Sequence, residues 1–220
     1  MATVIAVRGT AEERIEPELG AVAVTVGTSA PDRDTALART TEARERLIAE
    51  VRALEGAGAL DTWSAGQLRV WSHRPWNNEG KQLPLVHQTS AEVEVVFTDL
   101  ERLGEWVSGA SVAEHLAIGG IDWRLTDATR RRVQELAQRN AVADAVEKAR
   151  VYASALGLGT PVPVELADTG LLAAHPAPQP RGARMFAMAA SSDMAGGGSG
   201  AEFAPAKLVI EASVEARFEA

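Results

Sequence analysis

The 220-residue chain contains no cysteine, which removes disulfide frameworks, thiolate zinc sites, iron–sulfur clusters and a cysteine nucleophile together. It also lacks an excess of positive charge. Its 22 lysines and arginines stand against 30 aspartates and glutamates, a formal charge of −8. Binding a nucleic-acid backbone rests on cations that displace condensed counterions, and no segregated basic face is visible in the order of residues, so no nucleic-acid partner is expected. No stretch approaches the roughly 18 uninterrupted apolar residues of a spanning helix. The opening Met1-Ala-Thr-Val-Ile-Ala-Val-Arg8 has no basic leader and only a short apolar run. The expectation is a cytoplasmic protein without a signal peptide or membrane insertion.

Chemical motifs are scarce too. His73, His87, His115 and His175 show neither His-x-His nor His-x-x-x-His spacing, so a metal site would have to be assembled in space, from His73 or His87 with Glu79. The run Gly196-Gly-Gly-Ser-Gly200 neither follows a strand nor ends in Gly-Lys-Ser/Thr, and reads as linker, not as a phosphate loop. Ser191 and Ser192 lack the strand-to-helix elbow of a nucleophilic serine. Glu92 with Glu94, and Glu211 with Glu215, fall on outward faces and read as solubility and edge protection instead of a tuned acid and base. No catalytic constellation and no cofactor are implied.

What is present is ordinary globular material, 46% apolar and 24% charged, long enough to bury roughly 70% of its unfolded surface. Val22, Val24 and Val26 alternate with small residues and predict a strand over Gly20–Gly27. Upstream, Thr3–Val7 and Glu12–Glu16 read as strand pieces broken by a bulge or bend at Gly9, an N-terminal edge hairpin. From Asp32 a helical stripe runs through Leu37, Thr41, Leu47, Ile48, Val51 and Leu54, stopped by Gly56 and Gly58. Strands over Trp63–Ser72 and Gln88–Phe97 flank a polar tip at 73–81. A short helix capped by Asp99 follows, then a strand over Leu116–Leu125 interrupted by Gly119-Gly120. Strand, helix, strand, strand, helix, strand is the ferredoxin-like split βαβ order of an α+β fold.

Two further elements lie beyond that core. A long helix, capped by Thr126, is predicted over Asp127 to about Leu156, with Val133, Leu136, Ala137, Ala141, Ala145, Ala149, Tyr152 and Leu156 as its apolar positions. At 1.5 Å per residue it spans about 45 Å. The final segment, Lys207–Glu219, alternates cleanly as a long antiparallel strand of about 40 Å. Pro161–Leu166 reads as a short strand, and 170–205 as a flexible excursion of Ala, Gly, Pro, Ser and Met. The whole reads as one domain over 1–220, or as two packed halves over about 1–98 and 99–220.

Leu125-Thr-Asp-Ala-Thr129, Ala141-Val-Ala-Asp-Ala-Val-Glu-Lys-Ala149 and Ala153-Ser-Ala-Leu-Gly-Leu-Gly159 resemble the SIMPL-domain family. The strand ending at Gly27, Asp99-Leu-Glu-Arg-Leu103, Gly119-Gly-Ile121 and the terminal strand agree in order, so nearly the whole chain is covered. The resemblance implies an α+β subunit, a tendency to form homo-oligomers and a loose link to stress or cell-surface physiology; relatives are often periplasmic or outer-membrane-associated. It supplies no catalytic residues.

Five tryptophans remain the most informative side chains, and Trp76 stands in a polar turn where burial within one copy is hard to arrange. The leading expectation is a non-enzymatic structural or interaction protein that self-assembles through elements too long for a lone compact subunit. The alternative is a small-ligand-binding module, or a hydrolase, using a groove near His73, Arg74 and Trp76. Arg130, Arg131 and Arg132 are candidates for an anionic ligand or a partner's carboxylates, and Met185, Phe186 and Met188 for docking on a partner.

Overall fold

The computed structural model describes residues 2–76, 78, 82–172 and 205–220. In chain order the elements are β1 (Val4–Ile15), β2 (Leu19–Ala30), α1 (Arg33–Gly56), β3 (Leu60–Ala65), β4 (Arg69–His73), β5 (Val86–Phe97), α2 (Leu100–Ala110), β6 (Leu116–Arg124), α3 (Asp127–Ala155), β7 (Val162–Asp168) and β8 (Leu208–Glu219). They form two compact units, one of residues 2–15, 127–172 and 207–220, the other of 16–126 with 205–206. The division does not fall near residue 98, because the first strand pairs with the last along its whole length. Most of the segment read as an excursion, residues 173–204, lies outside the described residues, as do His175, Met185, Phe186, Met188, Ser191, Ser192 and Gly196–Gly200.

The 16–126 unit is the α+β core expected from the sequence. Its sheet runs β3-β5-β2-β6 with every neighbour antiparallel, and β4 also pairs with β5. Each helix thus links two strands separated by a third, the split βαβ arrangement. Val22, Val24 and Val26 lie opposite Val95, Val93 and Ala91, all buried. Asp32 caps α1 by accepting the Thr35 N–H at 2.8 Å, and Asp99 caps α2 by accepting from Glu101 and Arg102, both at 3.1 Å.

The buried stripe of α1 differs from the expected one. It runs Ala36, Thr40, Ala43, Leu47 and Val51, while Leu37 is exposed. Small residues let this turn approach the sheet, so Thr40 meets Thr89 of β5 directly. The single strand expected over 63–72 is two strands: Gly66 donates to the Glu92 carbonyl at 2.7 Å, and the ladder resumes only at Arg69. Gly119 and Gly120 do not break β6 but form a bulge, since the register passes from Val22↔Ile121 to Val24↔Ile118.

The other unit is a three-stranded antiparallel sheet, β1-β8-β7, packed against α3. No N-terminal hairpin forms: β1 is one continuous edge strand whose partner is β8, and Gly9 is not a bulge. Gly9 is needed because a Cβ there would lie 2.0 Å from the Ala141 carbonyl oxygen of α3 and 2.8 Å from Ala145 Cβ. The buried positions of α3 are accordingly Thr129, Val133, Ala137, Ala141, Ala145, Ala149 and Ala153, a strict four-residue repeat. Leu136, Tyr152 and Leu156 are exposed, against expectation, because backbones this close select alanine over leucine.

The lengths of these elements match each other. At 1.5 Å per residue α3 covers about 43 Å, and at 3.3 Å per residue the 12-residue β1 and β8 cover about 40 Å. The terminal strand also finds its partners within the chain, β1 on one side and β7 on the other. Element length therefore no longer requires a second copy, and any case for self-association rests on surface chemistry.

Candidate interaction site

The β4–β5 hairpin carries three of the residues singled out from the sequence. His73 ends β4, and Arg74 Nη1 donates to the Leu83 carbonyl at 3.0 Å, tying the two arms of the hairpin together. Trp76 is 85% exposed. His73 pairs in register with Val86, and Ser72 with His87, so the two histidines point to opposite faces of the sheet and cannot share a metal ion. His87 Nδ1 is engaged by Ser72 Oγ at 2.7 Å, and Glu79 lies outside the described residues. Among the described residues no group of three or more His, Asp or Glu has metal-site geometry. The half-exposed Trp71 shares its face with Arg69 and His73, an alternation legible in the sequence.

One carboxylate of each sequence pair, Glu94 and Glu215, is engaged structurally. Glu94 and Asp122 both hold Arg124, at 3.0 and 2.7 Å, and the Asp122 hydrogen bond foremost raises that guanidinium's pKa further. The Glu215 carboxyl is held below the usual carboxylate range, first by Arg8 at 3.0 Å and then by the Gly170 backbone N–H.

Of the arginine run, Arg130 and Arg131 are solvent-facing on α3, whereas Arg132 lines an open groove of about 280 Å³ with Glu13, Arg14, Ile15, Val133 and Leu136. Asn140 Nδ2 donates to Glu13 Oε1 at 2.7 Å, and Arg14 Nε pairs with Glu12. The groove joins residues more than a hundred positions apart, which no sequence spacing reveals.

Edges and exposed apolar side chains complete the surface. Thr3 and Ala220 exchange both backbone hydrogen bonds, so the odd residues of β1 face β8 and the even ones face the open edge. There Asp144 accepts the Thr10 N–H at 2.8 Å and Lys148 donates to the Arg8 carbonyl at 3.0 Å. The pair reads as i,i+4 helix support from sequence; its further task is to block a sheet edge. On the other edge, Pro163 lacks an N–H and the register shifts beside it. Val151, Tyr152 and Leu156 near the end of α3, and Val162, Val164 and Leu166 of β7, remain exposed. Ala153 and Phe218 share one core cluster and Pro163 pairs with Phe218, so the end of α3 and the start of β7 lie at the same end of this unit.

The sequence model of the SIMPL family, described as a protein of unknown function (DUF541), matches residues 5–218, and the chain belongs to that family. No curated protein matches it. Among the described residues no helix is long and apolar enough to cross a membrane.

Proposed function

We propose that this SIMPL-family chain is a non-enzymatic structural or interaction protein that assembles into a homo-oligomer through the exposed apolar surface of its helix and three-stranded sheet. The observation that supports this is the number of apolar side chains this unit leaves uncovered: Val151, Tyr152 and the 65% exposed Leu156 near the end of α3, and the 60% exposed Val162 with Val164 and Leu166 on β7. Fully burying one such side chain stabilises by roughly 1.5–3 kcal/mol, whereas association costs an estimated 4–15 kcal/mol. One stray valine cannot hold two copies together; several such side chains buried at once can. The Arg8–Glu215 pair supports the non-enzymatic part, since Arg8 holds that carboxyl below the usual carboxylate range and leaves it a poor proton donor.

Light scattering and sedimentation of the purified chain across a micromolar dilution series test the proposal. The expected result is a mass that is a multiple of the chain's, lowered by Tyr152→Glu or Leu166→Lys without loss of the circular-dichroism spectrum. A monomer at every concentration overturns it.

A further inference from the structure

We infer that Trp76 of one copy inserts into the groove formed by Glu13, Arg14, Ile15, Arg132, Val133 and Leu136 of a second copy. The inference rests on the self-association reading and names a contact within it, distinct from the α3–β7 surface. Trp76 is a bare indole, 85% exposed. The groove, at about 280 Å³, falls just below the roughly 300–1,000 Å³ of small-molecule pockets, a size suited to one large side chain.

Its lining answers each chemical feature of an indole. Ile15, Val133 and the 46% exposed Leu136 supply apolar surface for the ring. Arg14 and Arg132 supply guanidinium groups, which favour the face of tryptophan above other aromatic rings. A buried indole also requires an acceptor for its N–H. Glu13 provides one, because Asn140 occupies Oε1 and leaves the second carboxylate oxygen to receive it. Tryptophan and arginine are the side chains that most often dominate interface energetics.

The contact is heterologous: a tip on one copy meets a groove on the next, and the second copy still offers its own tip. Two variants, each lacking one half, therefore complement each other. Trp76→Ala keeps the groove and Leu136→Glu keeps the tip; both positions are exposed, and circular dichroism checks that both chains fold. Each variant alone is expected to show a lower assembled mass than the native chain by light scattering. Their equimolar mixture is expected to regain a species heavier than either, containing both chains by mass spectrometry. Arg132→Glu serves as a second groove variant and is expected to behave as Leu136→Glu does. A native chain that is monomeric sinks this contact together with the self-association reading. A native oligomer whose mass is unchanged in all three variants, or a mixture no heavier than its components, overturns the contact and leaves that reading standing.

Discussion

Asp144 Oδ2 accepts the backbone N–H of Thr10 at 2.8 Å, a side chain of α3 taking up a donor on the open edge of β1. The same oxygen receives Lys148 Nζ at 2.6 Å, and Lys148 in turn reaches the Arg8 carbonyl, so one i,i+4 pair brackets a stretch of exposed strand backbone. An unpaired strand edge is a template for pairing with another chain, and this arrangement closes it.

Removing that bracket should cost stability and solubility together. Asp144→Ala opens the Thr10 N–H and is expected to destabilise by about 1–2 kcal/mol. The ion pair itself is partly solvent-exposed and adds little. The Asp144 carboxyl is held below its ordinary value of 3.8, first by Lys148 and then by the Thr10 N–H. A folded-state pKa below the unfolded one contributes stability that is fully present above the unfolded value and disappears as pH falls through the folded value. The difference in melting temperature between native chain and variant should therefore be constant near neutral pH and shrink below about pH 4. An undiminished difference at pH 3 would show that the carboxylate is not its source.

Gly9 has no room for a side chain. Gly9→Ala places a methyl 2.0 Å from the Ala141 carbonyl oxygen, a backbone atom that cannot move without shifting α3. Overpacking of this kind costs about 1–3 kcal/mol or more, and urea unfolding should show a loss at the upper end. Gly120→Ala is the control: nothing lies within 4 Å of its added Cβ, and a change within about 0.5 kcal/mol is expected.

Two threonines in one buried cluster should respond with opposite signs. Thr89 Oγ1 directs its proton to the Thr28 carbonyl at 3.1 Å, leaving it to accept from Thr40. Thr28 Oγ1 is itself buried without a partner. Thr28→Val replaces that hydroxyl with a methyl of similar size and is expected to stabilise by about 1 kcal/mol, whereas Thr40→Val breaks a made bond and should destabilise by a similar amount. Equal destabilisation by both substitutions, read from denaturant midpoints, would contradict the assignment.

The candidate site was legible only in part. Trp76 declares itself in the sequence, because an indole amid His73, Arg74 and Asn78 has only Pro75 as an apolar neighbour in its own turn. Its neighbour Arg74 donates to the Leu83 carbonyl, a contact across the hairpin that no local spacing announces. Of three consecutive arginines only Arg132 lines the groove. A turn of helix moves each successive residue by 100°, and which one meets β1 depends on where the strand crosses.

Local order determined much of the fold. Period-two alternation in β2 and β5, carboxylate caps at Asp32 and Asp99, and the order of elements carried the split βαβ core, because each depends on residues a few positions apart. The pairing of β1 with β8, the exclusion of Leu136, Tyr152 and Leu156 from the alanine seam of α3, and the groove at Glu13 and Arg132 were decided by tertiary structure alone. Alternation shows which face of a strand is apolar but not which strand lies beside it. A seam of alanines looks weak by hydrophobicity and is favoured only once Gly9 brings a strand backbone against the helix. Contacts between distant parts of the chain follow from how closely two backbones approach, and that distance is a property of the packed molecule.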